Sequence, residues 1–144
     1  MLTARLAVSF PVEPPPSAAV RLDAEGRLKA AVAALEARGT VYTAAAPGAV
    51  DAATHVPTVT FLGGAARDPA DDRGNARCKV AVPHAMATDH FVEYLWAKDR
   101  ASGEVVAGVQ LGPEELPELL FEVAAGSRIV AFAACNQHGV WQST

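Results

Sequence analysis

Five side chains in this sequence are of types that hold transition metals: His55, His84, His90 and His138, with Cys135 three residues before the last of them in ACNQHGVW. Those four histidines are all the chain has. Two of them fall in one short stretch, PHAMATDH (83–90), and a third closes a Cys-x-x-His segment. Spacing restricts how they could meet. His84 and His90 would lie about 20 Å apart on one straight strand, so they can share an ion only if residues 84–90 fold back as a loop. Pro83 suits a strand end there. Cys135 and His138 would point to opposite faces of a strand, and a tight turn helped by Asn136 and Gly139 is needed to bring both onto one site.

Imidazoles suit iron, copper, zinc or nickel, and one thiolate softens such a site without excluding any of these. A closed structural zinc site takes four ligands; this set offers one more, which implies a five-coordinate ion with a sixth position free. A blue-copper site needs a methionine soon after the last histidine, and the chain has only Met1 and Met86. Iron–sulfur clusters need four cysteines, whereas Cys78 and Cys135 are the whole complement. No Cys-x-x-Cys-His segment is present for haem attachment.

The elements that must position these groups fall into two regions. Residues 1–40 carry a β-like run, Leu2 to Phe10, the stiff PVEPPP segment, and one helix expected over 24–38. Asp23 is its expected N-cap, Leu28, Val32 and Leu35 its apolar stripe, and Gly39 its stop. Alanines 30, 31, 33, 34 and 37 favour helix intrinsically. The stripe is expected to dock on the rest of the molecule or on another subunit. From His55 onward the pattern changes to short strands: 55–61, 77–82, 90–98, 104–111, 118–123, 128–134 and 139–142, separated by turn residues. Leu119, Phe121 and Val123 alternate with Glu118 and Glu122. About seven strands with no helix between them predict an all-β fold, an antiparallel β-sandwich with a helical N-terminal extension.

Composition excludes several functions. The 144 residues are 51% hydrophobic but only 6% aromatic, and the formal net charge is −4, which argues against nucleic acid as a partner. The longest clean apolar run, Ile129 to Cys135, is too short to cross a bilayer, so no membrane role is expected. The opening MLTARLAVSFPV makes a poor secretory signal, and two cysteines make no disulfide framework, so a cytoplasmic protein is expected. Cys78 reads as a small buried strand residue, Tyr94 and Trp96 as packing residues, and Trp141 as a shield beside the Cys-x-x-His turn.

The segments HVP (55–57), PHAMATDH (83–90) and CNQHGVW (135–141) resemble, in order and spacing, the superoxide reductases, that is, the desulfoferrodoxin and neelaredoxin iron-binding domain. The resemblance spans residues 41–144, including the lead-in VYTAAAPGAVDAATHVP, and sets residues 1–40 apart as an extension. It implies an immunoglobulin-like β-sandwich holding one non-haem iron per chain. His55, His84, His90 and His138 would then be equatorial ligands and Cys135 the axial one. It further implies reduction of superoxide to hydrogen peroxide at a ferrous centre with a vacant sixth position, a small electron donor such as rubredoxin, and a homo-oligomer. No catalytic residue beyond the metal ligands is expected. The family's Glu-Lys pair before the first ligand is replaced by Ala53-Thr54. This motivates an alternative, an iron-dependent enzyme of the same fold acting on a different small or organic substrate. Arg73, Arg77 and Lys79 could restore local positive charge, though as loop and strand-edge residues they read first as solvated.

Overall fold

The computed structural model describes residues 8–9, 18–46, 48, 51–62 and 75–144, with backbone alone at 8–9 and 18–24. Among these are α1 (Ala18–Glu36), α2 (Ala52–His55) and nine strands: β1 (Val8–Ser9), β2 (Val41–Tyr42), β3 (Thr58–Leu62), β4 (Asn75–Ala81), β5 (Val92–Asp99), β6 (Val105–Gln110), β7 (Glu118–Ala124), β8 (Ile129–Cys135) and β9 (Gly139–Gln142). They form a six-stranded sheet in the order β1-β6-β5-β8-β9-β2 and a three-stranded sheet in the order β3-β4-β7. Pairing is antiparallel throughout except at the margin, where β2 runs parallel to β9. The predicted antiparallel sandwich is what the chain forms. Its extra strands, β1 and β2, are two residues each and add only to the two edges of the larger sheet.

Period-2 alternation decides which side chains enter the core. Leu95 and Ala97 of β5, Val109 of β6 and Leu119, Phe121 and Val123 of β7 point between the sheets, together with Cys78 and Val80 of β4. The opposite face of β5 and β8, with Trp96, Val130, Phe132 and Ala134, packs against Val32 and Leu35 of α1. β8 is therefore covered on both sides, which is why all seven of its residues are buried and why its sequence is continuously apolar instead of alternating. Trp96 and Phe132 stack with centroids 5.3 Å apart. Glu36 ties the helix end to this layer: its Oε1 accepts from Trp96 Nε1 (3.2 Å) and pairs with Lys98 Nζ (2.6 Å).

The helix thus docks on the sandwich of its own chain. It stops as expected, with Gly39 at φ 81°, but it begins at Ala18, so Asp23 is an interior residue and not the N-cap. Ala18, Ala19 and Leu22 are themselves good helix formers, and Pro16 is the first residue upstream that a helix interior would reject. Three strand starts also move by two residues or more, the one expected at Arg77 lying two residues earlier at Asn75. The segment predicted from His55 starts as a strand only at Thr58, and the one predicted from His90 only at Val92. Of the first predicted strand, Val8–Ser9 pairs with β6, and the rest lies outside the described residues. None of the described helices is long and apolar enough to cross a membrane.

Candidate metal centre

His55 ends α2, a single helical turn started by Asp51, whose carboxylate accepts from Ala53 N at 2.9 Å. The turn brings the Asp51 carbonyl within 2.9 Å of His55 Nδ1. A carbonyl can only accept, so Nδ1 carries the proton and Nε2 keeps its lone pair. Thr54 Oγ1 donates to the same carbonyl (3.2 Å) and lies 2.9 Å from His55 Nδ1. Proline at 57 and the short helix, not a strand, set the direction of this imidazole.

Residues 83–90 fold back as the spacing required. Ala87 and His90 exchange backbone hydrogen bonds (3.0 and 3.3 Å), Met86 O accepts from Glu114 N (2.9 Å), and Met86 Sδ accepts from Val92 N (3.4 Å). His84 Nδ1 donates to the carbonyl of Ala85, the same tautomer as at His55. Its Nε2 is buried and has no hydrogen-bond partner. A buried acceptor left bare is costly, and a cation opposite it would remove that cost.

Cys135 is the last residue of β8, and residues 136–138 make the tight turn into β9, with Gly139 at φ 81°. Asn136 joins the Cys-x-x-His turn to the loop that carries His84 and His90. Its Oδ1 accepts from Phe91 N (3.0 Å), its Nδ2 donates to Asp89 O (3.0 Å), and its own N–H reaches Phe91 O (3.1 Å). Gln137 Nε2 adds a second bond to Asp89 O (2.6 Å). The sequence marks Asn136 only as a turn former; its bridging role depends on tertiary placement of Phe91 and Asp89.

The ligand atoms of His55, His84, His90 and Cys135 all lie within 4.8 Å of one another. His138 closes the group: its Nδ1 is 3.1 Å from His55 Nε2, 3.0 Å from His90 Nε2 and 3.6 Å from Cys135 Sγ. The rings form a square in the order His55, His84, His90, His138, with neighbouring centroids 4.5–5.0 Å apart and planes at 79–86°. The His55–His90 diagonal is 6.1 Å. A metal–nitrogen bond of about 2.1 Å would set neighbouring nitrogens of a square about 3.0 Å apart, which matches the two measured edges. All five residues singled out from sequence are brought together.

Electrostatics agree with a cation site. Burial, then the neighbouring imidazoles, lowers the pKa of His84; burial and the charges of His55 and His90 lower that of His138. Both shifts favour the neutral imidazole at His84 and His138, the form that donates to a metal. Both cysteines are free. Cys78 lies in the sandwich core, where desolvation pushes its pKa up to about 11; it is the buried strand residue its sequence suggested. Lys79 pairs with Glu118 (3.5 Å) and Arg77 is exposed on β4; Arg73 lies outside the described residues. Trp141, fully buried, lays its ring 4.9 Å from that of His55 and donates Nε1–H to His138 O (3.1 Å).

The desulfoferrodoxin family profile matches residues 48–144. A curated desulfoferrodoxin homolog from Methanothermobacter thermautotrophicus is 31% identical over 88 residues, 60% of either chain; the sequence thus spans about three fifths of that relative. In fold, the chain is similar to the superoxide reductase (neelaredoxin) of Ignicoccus hospitalis, with a TM-score of 0.52 at 18% identity over 72% of this chain and 89% of that one. It is similar also to the superoxide reductase of Nanoarchaeum equitans, with a TM-score of 0.52 at 11% identity over 72% and 96%. The family's profile covers the metal-type cluster, the three-stranded sheet and the four inner strands of the larger one, and on that match this chain belongs to the desulfoferrodoxin family.

Proposed function

We infer that the protein is a mononuclear non-haem iron oxidoreductase that reduces superoxide to hydrogen peroxide. In this reading His55, His84, His90 and His138 hold the ion by their inward nitrogens and Cys135 by its sulfur, one iron per chain. The observation that carries it is the square of imidazoles with two Nδ1–H groups fixed on backbone carbonyls and a thiol on the last residue of β8. Bound iron would supply the single electron which, with two protons, converts superoxide to peroxide.

The chain's own residues do the rest. The carbonyls of Asp51 and Ala85 fix tautomer and ring direction. Asn136 holds the two ligand loops in register. Trp141 excludes water from one face of His55, and burial of His55 and His84 (5% and 7% exposed) keeps the donors dry. Residues 41–144 are the iron-binding unit in this reading, and residues 1–40 its structural extension. A small electron-donor protein such as rubredoxin, a homo-oligomer and a cytoplasmic setting belong to the same proposal.

Thr54 takes the place of a lysine, and its hydroxyl is engaged with the Asp51 carbonyl, so neither anion attraction nor a proton comes from that position. This favours a second reading, in which the same centre acts on another small or organic substrate. Anaerobic ferrous protein mixed with superoxide separates the two. Stoichiometric oxidation with peroxide released supports the first reading, and iron-loaded protein inert to superoxide leaves only the second.

A further inference from the structure

Tyr42, Trp141 and His55 stand in series. The Tyr42 and Trp141 rings have centroids 5.1 Å apart, and the Trp141 and His55 rings 4.9 Å, tilted by 37° and 33°. Only the outer end of the series meets solvent to any extent: Tyr42 is half-buried, whereas Trp141 is fully buried and His55 is 5% exposed. The parallel pairing of β2 with β9 creates it, since the register sets Tyr42 opposite Trp141, and β2 is the margin of the six-stranded sheet. Two glycines make room for the tyrosine ring. A Cβ on Gly48 would lie 2.8 Å from Tyr42 Cε1, and one on Gly139 would lie 3.4 Å from Cε2. Both glycines have positive φ, 66° and 81°.

A shield for His55 would need Trp141 alone. Trp141 is instead held at both ends, by Tyr42 on its outer side and by the His138 carbonyl on its inner side. The Trp96–Phe132 stack, by contrast, is engaged by Val32, Leu35 and Lys98. Among the described residues, Tyr42–Trp141 is the aromatic pair that ends on a histidine of the square.

We propose that Tyr42 and Trp141 are the route by which an electron from a small one-electron donor protein enters the centre through the His55 ring. One electron leaves the reduced donor and arrives at the oxidised ion. No bond forms or breaks, no proton moves, and neither ring is left oxidised. The rings act as positioning residues that shorten the gap between donor and ion. The surrounding segment, residues 40–50, has no charged side chain, so the encounter with the donor depends weakly on salt.

The inference rests on the iron reading, and one experiment distinguishes failure of either. Tyr42→Leu, Tyr42→Phe and the parent protein are loaded with iron, oxidised, and mixed anaerobically with reduced rubredoxin or with ascorbate while the visible band is followed. Iron content, unfolding midpoint and midpoint potential are measured alongside. Tyr42→Leu should be reduced by rubredoxin about tenfold more slowly, and Tyr42→Phe, which keeps the ring, at nearly the parent rate. Ascorbate, small enough to approach the half-buried His90 and His138 directly, should reduce all three alike, and the potential should not move. A merely covering role would shift the potential and slow both reductants. Iron-replete Tyr42→Leu reduced by rubredoxin at the parent rate overturns the route and leaves the iron reading intact. Protein that takes up no iron overturns both.

Discussion

Gly108 of β6 lies directly under Leu28 of α1: a Cβ built on Gly108 would come within 2.9 Å of Leu28 Cδ2 and 3.4 Å of Leu28 Cγ. Leu28 is 6% exposed, so its side chain has little room to swing away. The bare backbone of this strand is what lets the helix seat on the sheet. Gly108→Val should force the helix outward and cost about 1–3 kcal/mol of stability, read as a lowered unfolding midpoint. The residues of the metal centre lie on other elements, so iron content should stay at the parent level; an unchanged midpoint would show that α1 does not need this contact.

Asn136 makes its side-chain bonds to the backbone of Phe91 and Asp89, linking the Cys-x-x-His turn to the loop that carries His84 and His90. Asn136→Ala removes both. Metal affinity should fall by about 10–100-fold, measured by competition with a chelator. Asn136→Asp keeps the acceptor for Phe91 N but loses the donor to Asp89 O, and should lie between the two. Equal affinity in all three proteins would mean that the loops hold their register without this residue.

The two cysteines should behave differently. Cys135→Ser should abolish the thiolate-to-iron charge-transfer band of the oxidised protein, whereas Cys78→Ala should leave it in place. A band that survives Cys135→Ser would remove sulfur from the ligand set.

Cys78 also gives a pH dependence. Its thiol is raised from 9.0 to about 11 by burial, so the folded state favours the protonated form. The unfolded chain releases that proton first, and the stabilisation present below pH 9.0 is lost as pH rises through about 11. Chemical denaturation across that window should show stability declining. Cys78→Ala should flatten that part of the curve. In native protein at neutral pH, Cys78 should resist thiol reagents.

The side chains of the candidate site were legible because metal chemistry constrains residue type more tightly than it constrains backbone shape. Five side chains in three segments, with a loop and a turn where their spacing demanded them, are where the sequence put them. The sandwich was legible through alternation in β7, and the docked helix through Leu28, Val32 and Leu35. The ends of elements were not. His55 stands on a helical turn because Asp51 caps it and Pro57 follows, a local preference that the neighbouring β-like residues masked. The helix start at Ala18 was hidden because Asp23 is a good cap by type, yet side-chain type alone does not show where a helix stops extending. The Tyr42–Trp141 contact was illegible for another reason: it depends on a parallel pairing between residues 41–42 and 140–141, about a hundred positions apart, which no local pattern encodes.

β8 is walled in on both faces along its whole length, and Cys135 is its final residue. The sulfur is therefore mounted on the one described strand whose residues are all buried, while the imidazoles hang from loops and a single helical turn. Amide hydrogens along Ile129–Cys135 should be the last to exchange with solvent. When the imidazole-bearing loops breathe, the sulfur should stay as the fixed point to which they return.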